Sequence, residues 1–143
     1  MTPSVRRLLS AALVGAGIVW SAAAAAEVVN LKAELKAANE VPPNDSAATG
    51  AAEATFDTAT KTLTWTVTYT GLTGPAIGAH LHGPGEHGKN AGIAVPFNFV
   101  KSPIKGTAVL LETQAADLMA GKWYVNIHSE KHPGGEIRGQ LVK

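Results

Sequence analysis

The stretch that decides the fold is "KTLTWTVTYT", residues Lys61–Thr70. Apolar and polar side chains alternate through all of it. One set is Leu63, Trp65, Val67 and Tyr69, and the other is five threonines. A period of two residues predicts a β-strand with one face on a core and the other in water. We therefore expect Trp65 and Tyr69 to be core residues rather than a binding surface.

The segments on either side of this strand repeat the pattern. Alternation or short apolar runs recur at 28–35, 50–56, 77–82, 93–99, 106–111, 122–129 and 136–142. Turn-forming residues separate them, as in "NEVPPNDSAATG". Pro96 predicts that the 93–99 strand is an edge strand or a bulged one. About eight short strands at this spacing predict an all-β fold, a Greek-key antiparallel β-sandwich or barrel.

One segment has a helical pattern. "TQAADLMAG" predicts a short helix near 114–120, with Thr113 as its N-cap and Gly121 at its end.

The first 26 residues have the three parts of a secretory signal peptide. Arg6 and Arg7 are followed by an apolar run, Leu8–Trp20, and by an alanine-rich site that ends at Ala26. A membrane anchor is the alternative, but the run is shorter than the ~20 residues that a spanning helix needs. We expect cleavage after Ala26, a single mature domain over 27–143, and a periplasmic or secreted location.

Composition limits what the mature domain can do. It keeps ten basic residues, all but Arg6 and Arg7, against 11 acidic ones, and this balance argues against nucleic-acid binding. No later segment is apolar enough to span a membrane. The chain has no cysteine, so thiolates are excluded both as nucleophiles and as metal ligands.

Histidines are the residues most indicative of a site. In "AHLHGP" the alternation places His80 and His82 on one strand face, opposite Ala79 and Leu81. Two imidazoles so spaced can reach one metal ion at ~2.0 Å. In "WYVNIH" the same rule places His128 opposite the apolar residues. If the two strands meet, three histidines converge.

Two further histidines lie in the flanking loops. His87 and His132 are candidates for a fourth ligand, although each is also a plausible loop residue. Imidazole ligands without thiolates favour copper first and zinc second, since copper has the highest affinity in the divalent series.

Four motifs occur in the order found in the chordin-type (CHRD) domain, and the chain resembles that family from about Leu31 to Leu141. They are "NEVPP", "GAAEATFD", "AHLHGP" and "YVNIHSEKHPGGEIRGQL". A more distant resemblance is to copper/zinc superoxide dismutases, which have a Greek-key β-barrel, a His-x-His strand and an arginine near the last strand. That resemblance implies that His80, His82 and His128 hold copper and that Arg138 attracts superoxide. The zinc loop and the disulfide of that family have no counterpart here.

These observations leave three functions open. The first is an exported copper protein with superoxide dismutase activity, in which copper oxidises one superoxide to oxygen and reduces a second to peroxide. The second is a copper carrier or buffer with the same ligands. The third is a metal-free extracellular interaction module, in which the histidines are ordinary surface residues.

Overall fold

The computed structural model describes residues 25–143. The predicted signal peptide, residues 1–26, lies outside this part of the chain except for its last two residues. The described chain contains one short 3-10 helix, Ala37–Asn39, and one α-helix, α1 (Glu112–Met119). Its eight strands are β1 (Val28–Lys36), β2 (Thr49–Asp57), β3 (Thr62–Thr70), β4 (Ala76–His82), β5 (Ile93–Pro96), β6 (Ile104–Val109), β7 (Tyr124–Ser129) and β8 (Ile137–Gln140).

All eight strands belong to one antiparallel sheet. Their order is β5-β4-β7-β8-β1-β2-β3-β6, and the sheet curls into a nearly closed barrel with β5 and β6 at its edges. The segment between β6 and β7 crosses the barrel. As a result, β7 pairs with β4 and not with β6, the strand before it in the chain. This is a Greek-key connection. The predicted all-β fold with one short helix is confirmed.

The core follows from the alternation seen in the sequence. In β3, Leu63 and Val67 are fully buried and Trp65 is nearly so. The Trp65 ring stacks on Phe97 with centroids 4.9 Å apart, next to the gap between β5 and β6. Each fully buried large side chain of this kind contributes about 1.5–3 kcal/mol.

Two local predictions are wrong in detail. The N-cap of α1 is Leu111 rather than Thr113, and the Leu111 N–H donates to the Gln114 side chain at 2.9 Å. Gly121 follows the helix with a φ of +73°, as its position predicts. The predicted 93–99 strand ends at Pro96, and Phe99 beyond it is 70 % exposed. Pro96 does lie in an edge strand.

Among residues 25–143, no helix is both long enough and apolar enough to cross a membrane.

Candidate metal centre

Strands β4, β7 and β8 bring polar side chains together on the outer face of the sheet. His80 pairs with Asn126, which pairs with Arg138 on β8. His82 pairs with Tyr124 in the next row. On the opposite face of β4, Ala79 and Leu81 are 1 % exposed each and belong to the core. The alternation therefore places both histidines of the His-x-His motif on the outer face.

Three histidines meet in this patch. One ring nitrogen each from His80, His82 and His128 lies within 4.8 Å of the other two. The His80 ring is edge-on to both others, with centroid distances of 5.4 Å to His82 and 4.8 Å to His128. In the described part of the chain, no second group of three or more potential metal ligands comes together.

Hydrogen bonds orient two of these rings. His82 Nδ1 lies 2.9 Å from the Ala91 carbonyl, and His128 Nδ1 lies 3.0 Å from the Pro133 carbonyl. Because a carbonyl only accepts, each Nδ1 carries the proton and each Nε2 has a free lone pair. Donation of the second ring N–H to a backbone carbonyl is typical of metal-binding histidines.

Each histidine of this cluster also has one buried ring nitrogen without a partner. His80 Nδ1, His82 Nε2 and His128 Nε2 find no hydrogen bond among residues 25–143. Buried polar side-chain atoms are normally satisfied, so three unpartnered nitrogens in one cluster require an explanation. A metal ion bound between them would satisfy all three.

All three rings are neutral near pH 7. Burial, together with the neighbouring His128 and His82, lowers the pKa of His80 to about 4. Burial also lowers the pKa of His82 and that of His128, against the raising effect of their carbonyl partners. Neutral imidazole is the form that binds a metal, so protons compete weakly with a metal here.

Gly78 makes room for the first ligand. A Cβ at this position would lie 3.1 Å from His80 Cε1 and 3.6 Å from His80 Nε2. The imidazole therefore rests directly on the backbone of its own strand, two residues earlier. Any larger residue at position 78 would shift the ring.

Arg138 lies beside the site on the same face of the sheet and is buried rather than exposed. The side chain is buried against Glu40, with both Nε and Nη2 3.1 Å from Glu40 Oε2. The Asn126 amide donates to the same oxygen at 3.2 Å. Burial raises the pKa of Glu40 more than the Arg138 guanidinium lowers it. The contacts of its guanidinium in the structure are with other groups of the chain. A role for Arg138 in attracting an anion stays a prediction.

The remaining two predicted ligands lie outside the three-histidine cluster. His87 is exposed on the loop after β4. His132 is half-buried, its backbone N–H donates to Ser129, and it lines a groove together with Glu40. The structure thus brings together three of the five candidate histidines. A fourth ligand from His87 or His132 stays a prediction.

Sequence reasoning missed the residues that surround Arg138 beside the histidine cluster. Glu40 is separated from Arg138 by 98 residues and from Asn126 by 86, so no local pattern connects them. Asn126 and Tyr124 do share the parity of His128, which is the one signal that could have located them.

The fold and the site define a class: an antiparallel eight-stranded β-domain with a three-histidine cluster on its outer face. The family model of the CHRD domain matches residues 31–141, and the chain belongs to this family. No curated protein and no solved structure matches the chain.

Proposed function

We propose that this CHRD domain protein is exported and binds one copper ion through His80 Nδ1, His82 Nε2 and His128 Nε2. The observation that carries the proposal is a cluster of three histidines that each bring a ring nitrogen within 4.8 Å of the others and each have a buried ring nitrogen without a partner in the described chain. The signal-peptide pattern of residues 1–26 supports export.

The ligand set favours copper over zinc. It consists of imidazole nitrogens, and no cysteine exists in the chain to supply a thiolate. Three histidines with an open position also fit a catalytic zinc site, so the number of ligands does not decide between the two metals. For equal ligands copper(II) binds more tightly than zinc. Zinc is therefore the second candidate.

The test is a titration of the purified protein with copper(I), copper(II) and zinc. We expect one equivalent of copper to bind, and we expect the His80→Ala/His82→Ala variant to lose it. The comparison variant is His87→Ala/His132→Ala, which removes the two histidines outside the cluster: wild-type binding would show that the three clustered histidines suffice, and weaker binding would identify a fourth ligand. Copper binding by His80→Ala/His82→Ala as tight as that of the wild type would refute the site. No binding by any sample would favour the metal-free interaction module.

Superoxide dismutation is the second candidate function. Its support is that the rings of His80 and His128 are only partly buried, so one edge of the cluster borders solvent while its unpartnered nitrogens are covered. Bound copper would supply one-electron redox chemistry there. Superoxide decay is measured with copper-loaded protein, and the His80→Ala/His82→Ala variant is the control. Decay no faster than that of the variant would leave a copper carrier or buffer as the function.

The role predicted for Arg138 is tested in the same assay. If its charge attracts superoxide, Arg138→Ala lowers the rate and weakens the dependence of the rate on salt, measured on protein whose copper site is kept saturated. An unchanged rate and salt dependence would exclude attraction of the anion by Arg138.

A further inference from the structure

We propose that Arg138 is a positioning residue of the histidine cluster. It fixes the loop formed by residues 83–92, and this loop holds His82 in the tautomer whose Nε2 faces the other two ligands. The link to a metal rests on the proposed function above. The tautomer of His82 is a property of the metal-free protein and can be measured without copper.

The guanidinium reaches the 83–92 loop through two hydrogen bonds. Nη1 donates to the Lys89 carbonyl at 3.2 Å, and Nη2 donates to Asn90 Oδ1 at 2.7 Å. The next residue along the loop is Ala91, whose carbonyl accepts the Nδ1–H of His82. Arg138 therefore anchors the two residues directly before the group that selects the tautomer. The planar fork of arginine suits this two-point contact, whereas lysine offers a single point charge.

Tyr124 connects Arg138 to His82 by a second route. Its ring is parallel to the His82 ring at 4.9 Å, and Arg138 Cζ lies 4.2 Å from the centre of the tyrosine ring. The Tyr124 hydroxyl accepts from the Ala91 N–H at 3.0 Å and lies 3.2 Å from the Ala91 carbonyl. The Arg138 guanidinium, the Tyr124 ring and the His82 ring thus form one stack. The Tyr124 hydroxyl also bonds to Ala91, the residue whose carbonyl accepts from His82.

Glu40 compensates the charge of Arg138, which is buried beside the histidines. Its carboxylate lies against the guanidinium, so Arg138 does not add an uncompensated positive charge next to a cation site. Gly135 packs closely over this carboxylate, since a Cβ there would lie 2.7 Å from Glu40 Oε1.

His128 provides an internal control within the same protein. Its Nδ1–H is held by the Pro133 carbonyl of a different loop, residues 130–136. Across residues 25–143, the hydrogen bonds of the Arg138 side chain go to Glu40, Lys89 and Asn90, none of which lies in that loop. Arg138 reaches that loop through Glu40, over which Gly135 packs. Loss of the Arg138–Asn90 contact alone, as in Asn90→Ala, should therefore disturb the tautomer of His82 and leave that of His128 intact.

The experiment is ¹⁵N NMR of the imidazole nitrogens in the metal-free protein near pH 7. We expect a single Nδ1–H tautomer for His82 and for His128 in the wild type. In Arg138→Lys and in the milder Asn90→Ala, His82 should become a mixture of tautomers, and in Asn90→Ala His128 should be unchanged. Lys122→Ala is the matched control, because it removes only the exposed contact of Lys122 with Glu86 of the same loop.

Copper titration of the same variants adds a second readout. Loss of such outer hydrogen bonds typically lowers metal affinity 10–100-fold, and we expect about a tenfold loss in Arg138→Lys. A single His82 tautomer in both variants would overturn the proposal, and so would equal disturbance of His82 and His128 in Asn90→Ala. Wild-type protein that shows the expected tautomers and their selective loss but binds no copper would refute the proposed function alone.

Discussion

The buried ion pair between Arg138 and Glu40 gives the most demanding prediction. Arg138→Met removes the guanidinium and leaves a carboxyl group that is 4 % exposed without its counter-ion. Breaking one partner of a buried pair typically costs about 3–5 kcal/mol, more than the pair contributes over an apolar substitute. We therefore expect the free energy of unfolding to fall by about 3–5 kcal/mol at pH 8.

The loss should depend on pH with a definite sign. Burial already raises the pKa of Glu40 from its ordinary value of 4.5, and removal of Arg138 raises it further. A group whose pKa is higher in the folded state than in the unfolded state stabilises the fold most at pH values below its unfolded-state pKa. This stabilisation is lost as the pH rises through the folded-state pKa. The deficit of Arg138→Met relative to the wild type should therefore be smaller near pH 5 than at pH 8.

Urea unfolding at the two pH values measures both effects. Glu40→Gln/Arg138→Met removes the stranded charge and should recover part of the deficit at pH 8, although the hydrogen bonds to Lys89 and Asn90 stay lost. A deficit below about 1 kcal/mol, or one that does not change with pH, would refute the view that this pair is a buried charge pair. Failure of the double variant to recover any stability would refute it as well.

Three other predictions follow from single contacts. Gly78→Ala should weaken copper binding with little change in stability, because the new Cβ displaces the His80 ring; unchanged copper affinity would contradict this. Glu136→Gln should lower the free energy of unfolding by about 1–3 kcal/mol at pH 7, since Glu136 accepts hydrogen bonds from Ser46 and Thr73 in a buried place. Although burial opposes ionisation, the hydrogen bonds together lower the pKa of Glu136, so this difference should shrink as pH falls below 4.5; a pH-independent difference in urea unfolding would argue otherwise. Because the pKa of His80 is about 4, its ring should stay neutral down to pH 5.5, and the apparent copper affinity should fall less between pH 7 and pH 5.5 than that of a His-x-His peptide. A competition titration measures both affinities, and an equal fall would contradict a neutral His80.

The strands were predictable because their signal is local. Alternation at Leu63, Trp65 and Val67 reports burial on one face directly, and each of these side chains is in the core. The helix start was missed because the cap at Leu111 is made by the Gln114 side chain reaching back, not by a Ser, Thr, Asp or Asn. The run through Phe99 has strand composition, but its pairing with β4 ends just after Pro96, with a last backbone hydrogen bond from the Phe97 N–H to the Ala79 carbonyl at 3.0 Å.

The site was predictable in part for the same reason. The parity of His80 and His82 is fixed by two residues of strand, so it needs no knowledge of topology. The approach of His128 depends on β7 lying beside β4, a pairing that follows from the Greek-key connection and not from any nearby residue. Glu40 could not be found at all, because its partners lie at the far end of the chain.

The histidines differ in how their orientation is encoded. His82 and His128 lie at or near the ends of their strands, and the loop that follows returns to each Nδ1–H within nine and five residues. Their tautomers are therefore set by "GPGEHGKNA" and "SEKHP", although their meeting is set by the sheet. His80 lies inside β4, and its buried nitrogen without a partner among the described residues is Nδ1 rather than Nε2. Its orientation depends on the open space above Gly78. Loop variants should consequently act on His82 or His128 one at a time. A change at Gly78 should act first on His80, whose Cε1 the new Cβ would crowd at 3.1 Å, and less on His128, whose Cδ2 it would contact at 3.7 Å.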